Sequence, residues 1–150
     1  MTSFYDNLAG DLEALIKGVP HVISNLSNAS ALIFERLDRL NWAGFYLLEG
    51  ETLVLGPFQG RPACIEIKIG RGVCGTAAAQ RRTLVVPDVH EFKGHIACDS
   101  CSRSEIVVPL IKDGAVIGVL DIDSPEPDRF SPDDKEGIEL VAGTIVKYAF

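Results

Sequence analysis

Four cysteines and a group of carboxylates carry most of the reactive chemistry available to this chain. Cys98-Asp99-Ser100-Cys101 is a C-x-x-C pair inside a stretch, Val86 to Ser104, that has no helical or strand period and also holds His90, His95 and three acids. Long irregular segments in compact domains are usually functional. A thiol in polar surroundings ionises readily, and the thiolate is the nucleophile, so Cys98 is the best candidate for a reactive sulfur. Cys74 instead falls in Gly72-Val73-Cys74-Gly75-Thr76, among small and apolar residues, where a cysteine packs as a small hydrophobe. Cys64 and Cys74 are too far apart for a zinc knuckle, and no strand leads into the C-x-x-C as in a thioredoxin-type site. No metal is expected.

The acids lie near the end of a strand-like run, Val116–Asp123. Strand side chains alternate, so Ile117, Val119, Asp121 and Asp123 are expected on one face. Two carboxylates so close, continuing an apolar face, raise the pKa of at least one of them if buried; the alternative is a strand emerging into solvent with both acids wet. Register decides whether Glu105 joins them. A two-residue turn at Asp113-Gly114 would set Glu105 opposite Ile122 and away from both aspartates. A three-residue loop at 113–115 would pair it with Asp123, and Pro109 hints at an edge or bulge that would permit irregular register. Trp42 and Tyr46, four apart in a strand, face the same way, either in the core or in a ligand pocket. Gly70-Arg71-Gly72 entering a helix offers backbone N–H groups to an anion but lacks a P-loop lysine.

The elements that must position these groups follow from hydrophobic period. Tyr5, Leu8, Leu12 and Leu15-Ile16 recur at helical spacing, as do Val22-Ile23, Leu26, Ala29, Ile33 and Leu37. Ser131-Pro132-Asp133-Asp134 starts a third helix, and Gly72–Gln80 reads as a short one. Strands are expected at 42–48, 52–55, 64–69, 84–86, 106–111 and 116–123. These make one α+β domain over residues 1–150, with helices packed on a central antiparallel sheet.

Charge limits the partners. Fourteen Lys and Arg against 21 Asp and Glu leave −7, with Arg81-Arg82 the sole adjacent basic pair, so nucleic acid is not expected and a cationic or zwitterionic small molecule suits the chain better. No apolar stretch is long enough to span a bilayer, and Met1–Asp6 has no signal-peptide pattern; the cytoplasm is the expected address.

Five blocks taken in order resemble the free methionine-(R)-sulfoxide reductases, enzymes of the GAF fold. They are Asn41-Trp42-Ala43-Gly44-Phe45-Tyr46, Leu55-Gly56-Pro57-Phe58-Gln59-Gly60, Gly70-Arg71-Gly72-Val73-Cys74-Gly75-Thr76, Gly94-His95-Ile96-Ala97-Cys98-Asp99 and Gly118-Val119-Leu120-Asp121-Ile122-Asp123-Ser124. The resemblance implies a GAF-like sheet with helices mainly on one face. It implies Cys98 as catalytic cysteine, Cys64 as its resolving partner, and Cys74 with a secondary role. It also implies Trp42 and Tyr46 as an aromatic substrate pocket, and Glu105, Asp121 and Asp123 as carboxylates that bind substrate and supply protons. The implied cycle needs no cofactor: a sulfenic acid on Cys98 condenses to a disulfide, which a thioredoxin-like dithiol reduces. A homodimer is implied as well. Cys101 has no usual counterpart in the family and could capture Cys98 in place of Cys64. The competing expectation is a non-catalytic GAF sensor of a small molecule or of thiol redox state.

Overall fold

The computed structural model describes residues 2–95 and 101–150. Along the chain come α1 (Thr2–Ile16), α2 (Val22–Arg36), β1 (Trp42–Glu49), β2 (Thr52–Gly60), β3 (Glu66–Lys68), α3 (Gly72–Gln80), β4 (Leu84–Val86), a single 3-10 turn (Val89–Glu91), β5 (Ser104–Lys112), β6 (Ala115–Ser124) and α4 (Pro132–Tyr148). The strands form one sheet in the order β3-β2-β1-β6-β5-β4, every neighbouring pair antiparallel.

The two faces of the sheet are filled differently. Helices α1, α2 and α4 cover one face, burying Leu8, Leu12, Leu26, Ile33, Ile138 and Val141 against Phe45, Ile106, Leu120 and Ile122. Ser131 and Asp134 close the α4 N-terminus as a capping box behind Pro132, which satisfies donors that the first turn leaves open. Helix α3 alone lies on the other face, where Val73, Cys74 and Ala77 meet Trp42, Tyr46, Val107 and Val119. Three helices on one side and one on the other match the expected α+β class.

Two bulges set the register that matters for the site. In β1, Gly44 pairs with Phe58 and Tyr46 with Leu55, so Gly56 and Pro57 together oppose Phe45. Pro57 gives up no ladder donor at a bulge, which lets β2 run on to Gly60, five residues past its expected end. In the β5–β6 hairpin the turn is the tight one: Asp113 and Gly114 both take positive φ, 52° and 81°, and Lys112 pairs with Ala115. Ile111 then pairs with Val116 but Leu110 with Gly118, leaving Ile117 as an extra residue.

That bulge overturns the inference that a two-residue turn turns Glu105 away. One extra residue in β6 shifts the register by one, and Glu105 lies opposite Asp123. It also corrects the placement of Ile117, which packs with the three-helix face while Val119 faces α3. Pro109 sits beyond the end of β4, which pairs β5 only from Glu105 to Val107, so its missing N–H costs no ladder bond.

Candidate active site

A single row of paired residues crosses the sheet as Gly60, Trp42, Asp123, Glu105 and Val86. Asp121 lies two residues from Asp123 on the same face, beside Gly44 of β1 and Val107 of β5. The first turn of α3 closes over these side chains with Gly72, Val73 and Cys74. The result is a chamber walled by Trp42, Tyr46, Cys74, His95, Glu105, Asp121 and Asp123, with Ala63, Ile67 and Ser102 completing its lining. Four of the residues singled out from sequence, Cys74, Glu105, Asp121 and Asp123, therefore share one cavity with the aromatic pair, carried on three strands and a helix.

The chamber is acidic and largely buried. Glu105 and Asp121 are both buried, and among the described residues no lysine or arginine pairs with either. Burial pushes the Glu105 carboxyl well above its usual range, and the neighbouring charges of Asp121 and Asp123 push it further. Burial also raises Asp121, though hydrogen bonds from Glu105, Cys74 and Asp123 partly offset the shift. Glu105 is therefore the group that keeps the proton and Asp121 the one that accepts it. Asp121 Oδ1 is buried with no hydrogen-bond partner among the described residues, an acceptor left open toward the chamber. A cationic donor entering here meets a waiting acceptor and, among the described residues, no competing lysine or arginine.

Cys74 Sγ lies 4.0 Å from Glu105 Oε2. Burial first, then the charges of Asp121 and Glu105, hold its thiol far above the ordinary range, so it stays protonated and is a poor nucleophile. Ligand atoms of Cys74, Glu105 and Asp121 all lie within 4.8 Å of one another. A tetrahedral metal would need a thiolate and a fourth ligand there, and the raised thiol disfavours the first.

Trp42 stacks between two rings, Phe58 at 5.1 Å and Tyr46 at 6.0 Å. A side chain at Gly44 would collide with Phe58, so the bulge and the glycine together seat Phe58 on the indole. The polar ends of both chamber aromatics are also used: Trp42 Nε1 donates to Arg61 O at 3.1 Å and Tyr46 Oη to Cys64 O at 2.9 Å. Leu55 N donates to Ile65 O at 2.9 Å. These three bonds pin the loop that carries Cys64, which shortens β3 relative to its expected span and makes Trp42 and Tyr46 both chamber wall and loop anchor.

Cys64 is disulfide-bonded, whereas Cys74 and Cys101 are thiols. Cys101 is exposed and accepts from Arg61 Nη1 at 3.3 Å. Cys98 lies outside the described residues. The chain re-enters the sheet just beyond it through bonds from Val89 N to Arg103 O and from Arg103 N to Ser124 O, both 2.7 Å. His95 is the chamber residue to which sequence reasoning gave no role there: its Nε2 stands 4.0 Å from Glu105 Oε1. In an aperiodic segment only its place in the Gly94–Asp99 block marked it.

Comparisons with known proteins agree with this geometry. The GAF domain model matches residues 11–147. The free methionine-R-sulfoxide reductase of Escherichia coli (strain K12) is 52% identical over 146 residues, which covers 97% of this chain and 88% of that protein. A structure of fRMsr of Staphylococcus aureus in complex with substrate is 56% identical, with a TM-score of 0.91, over 98% of this chain and 95% of that one. Free methionine-R-sulfoxide reductase from Neisseria meningitidis, in an X-ray structure with its substrate, is 43% identical, with a TM-score of 0.92, over 95% of this chain and 86% of that one. With the register, the acid chamber and these likenesses in hand, the chain belongs to the GAF domain family and, within it, to the free methionine-(R)-sulfoxide reductases.

Proposed function

We propose a thiol mechanism for the reaction that this enzyme performs, the reduction of free methionine-(R)-sulfoxide to methionine. Cys98, as thiolate, attacks the sulfoxide sulfur. A sulfur–sulfur bond forms as the proton of Glu105 passes to the sulfoxide oxygen. The resulting hydroxyl then moves from the methionine sulfur to Cys98 Sγ as the sulfur–sulfur bond breaks, so methionine leaves and Cys98 is left as a sulfenic acid. The thiol of Cys64 then attacks that sulfur, water departs, and a disulfide closes. A dithiol reductant of the thioredoxin type reopens it by exchange. One sulfoxide and one dithiol thus yield methionine, one disulfide and water. The cycle calls for no metal or organic cofactor.

Asp121 and Asp123 take the substrate's α-ammonium, and Trp42 with Tyr46 encloses its methyl-sulfur end. Cys74 stays a protonated wall of the chamber with a secondary role at most. The observation that carries this reading is the acid trio, buried Glu105 and Asp121 with half-buried Asp123 beside them, and no lysine or arginine partner to Glu105 or Asp121 among the described residues. The disulfide at Cys64, with Cys74 and Cys101 as thiols, supports Cys64 as the resolving residue. No helix among the described residues is long and apolar enough to cross a membrane. The enzyme works in the cytoplasm as one GAF domain over residues 1–150, paired as a homodimer.

Cys98→Ser tests the assignment. The variant should bind free methionine sulfoxide as the parent does and turn over none of it. Turnover that survives the substitution would remove Cys98 from the mechanism.

A further inference from the structure

Each cycle takes one proton from Glu105, and a buried carboxylate cannot recover it directly from water. Around Glu105 stand Cys74 and Asp121, both buried, then Asp123 across the strand pair, and His95 at the chamber wall. His95 spans the gap to solvent. Its side chain is 16% exposed against 9% for Glu105, and its Nε2 faces Glu105 Oε1 at 4.0 Å. Its own backbone is held by a bond from His95 N to Phe92 O at 3.1 Å.

We infer that His95 is the proton relay that reloads Glu105 after each turnover. This rests on the reading above, in which Glu105 supplies the proton to the sulfoxide oxygen. An imidazole takes a proton at one nitrogen and gives one up at the other, which a carboxylate or thiol in the same place does less well near neutral pH. The 4.0 Å gap is one bridging water or a small ring rotation from transfer distance, and such contacts often tighten only when substrate is bound.

The direction of flow is also set by the surroundings. Burial and the charge of His90 lower the His95 pKa, opposed by Asp121, while burial and the two aspartates raise Glu105. A proton placed on His95 therefore runs downhill to an ionised Glu105. The balance is simple: Cys98 releases a proton to solvent on becoming a thiolate, and His95 returns one from solvent to the carboxylate.

The relay predicts an unusual kinetic signature, because Glu105 begins the first cycle already protonated. His95→Gln and His95→Ala should complete a first turnover with normal rate and amplitude when the reduced protein is mixed with free methionine sulfoxide. With saturating dithiothreitol, their later turnovers should be slowed at least about tenfold, within the range for general acid–base groups. Added imidazole should restore the steady rate of His95→Ala. A first turnover slowed as much as the later ones would make His95 a structural or direct catalytic residue and overturn the relay. Unchanged steady turnover in both variants would overturn it too. A parent protein with no turnover of this substrate would instead sink the functional reading itself.

Discussion

Asp134 and Glu105 are both carboxyl groups withdrawn from bulk water, and they end in opposite states. Burial would raise Asp134, but its oxygens accept from Ser131 N at 2.9 Å, Tyr5 Oη at 2.7 Å and Arg129 Nη1 at 3.1 Å, and the net shift is downward. Arg129 also holds Asp38, so one guanidinium ties the α4 cap to the segment between α2 and β1. Among the described residues Glu105 has no such guanidinium; its neighbours are more acids, a protonated thiol and the His95 imidazole. A carboxylate given donors and a cation is part of the frame. One held among its own kind is a group in waiting, kept protonated by its surroundings and costly to leave without a partner.

Changes at each region should therefore separate cleanly into loss of catalysis and loss of stability. Glu105→Gln keeps the size of the side chain but cannot deliver a proton. Its kcat should fall about 10²–10³-fold, with little change in unfolding midpoint near pH 5, where the parent carboxyl is protonated in the fold. Near-normal kcat would place the acid elsewhere. Arg129→Met strips the framework carboxylate of its cation and turns it into a miniature of the acid chamber. Stability should drop by about 3 kcal/mol in denaturant titrations while turnover at low temperature persists. A stable variant would mean that the cap donors alone suffice.

Dependence on pH sharpens the contrast, since the two groups carry opposite signs. Glu105 keeps in the fold a proton that it would release when unfolded. Its contribution is whole below its ordinary 4.5 and is lost as pH rises through the raised folded value. Asp134 contributes fully above its ordinary 3.8 and loses that contribution as pH falls through the lowered folded value. Urea midpoints of the parent should decline from pH 5 to pH 8, and Glu105→Gln should flatten that decline; an unaltered slope would contradict the raised state. The smallest effect is expected from Tyr5→Phe, which deletes one hydrogen bond to Asp134 and should cost about 1 kcal/mol. Its activity should not change.

The same contrast explains what could be read from the residues alone. Helix ends were legible where local chemistry decides them, as in the Ser131–Asp134 cap and the Gly72–Gln80 helix, whose bounds match. The alternation of Asp121 and Asp123 was legible for the same reason. The meeting of Glu105 with Asp123 was not, because it depends on a bulge at Ile117 that neither the turn residues nor the apolar pattern announces. Likewise the indole and phenol anchoring the Cys64 loop through its carbonyls left no trace in spacing, since backbone acceptors are the same at every residue. The five family blocks gave the site residues their roles; the fold shows how the carboxylates, the aromatics and the Cys64 loop come together.

Competition between free and blocked substrate reaches the heart of the account. If Asp121 and Asp123 exist to meet an α-ammonium, N-acetyl methionine sulfoxide leaves them facing an uncharged amide. That loss should cost about 1–3 kcal/mol or more, roughly ten- to a hundredfold in kcat/KM or in binding to the Cys98→Ser variant. Equal use of the two compounds would show that the chamber acids do not select the amino group.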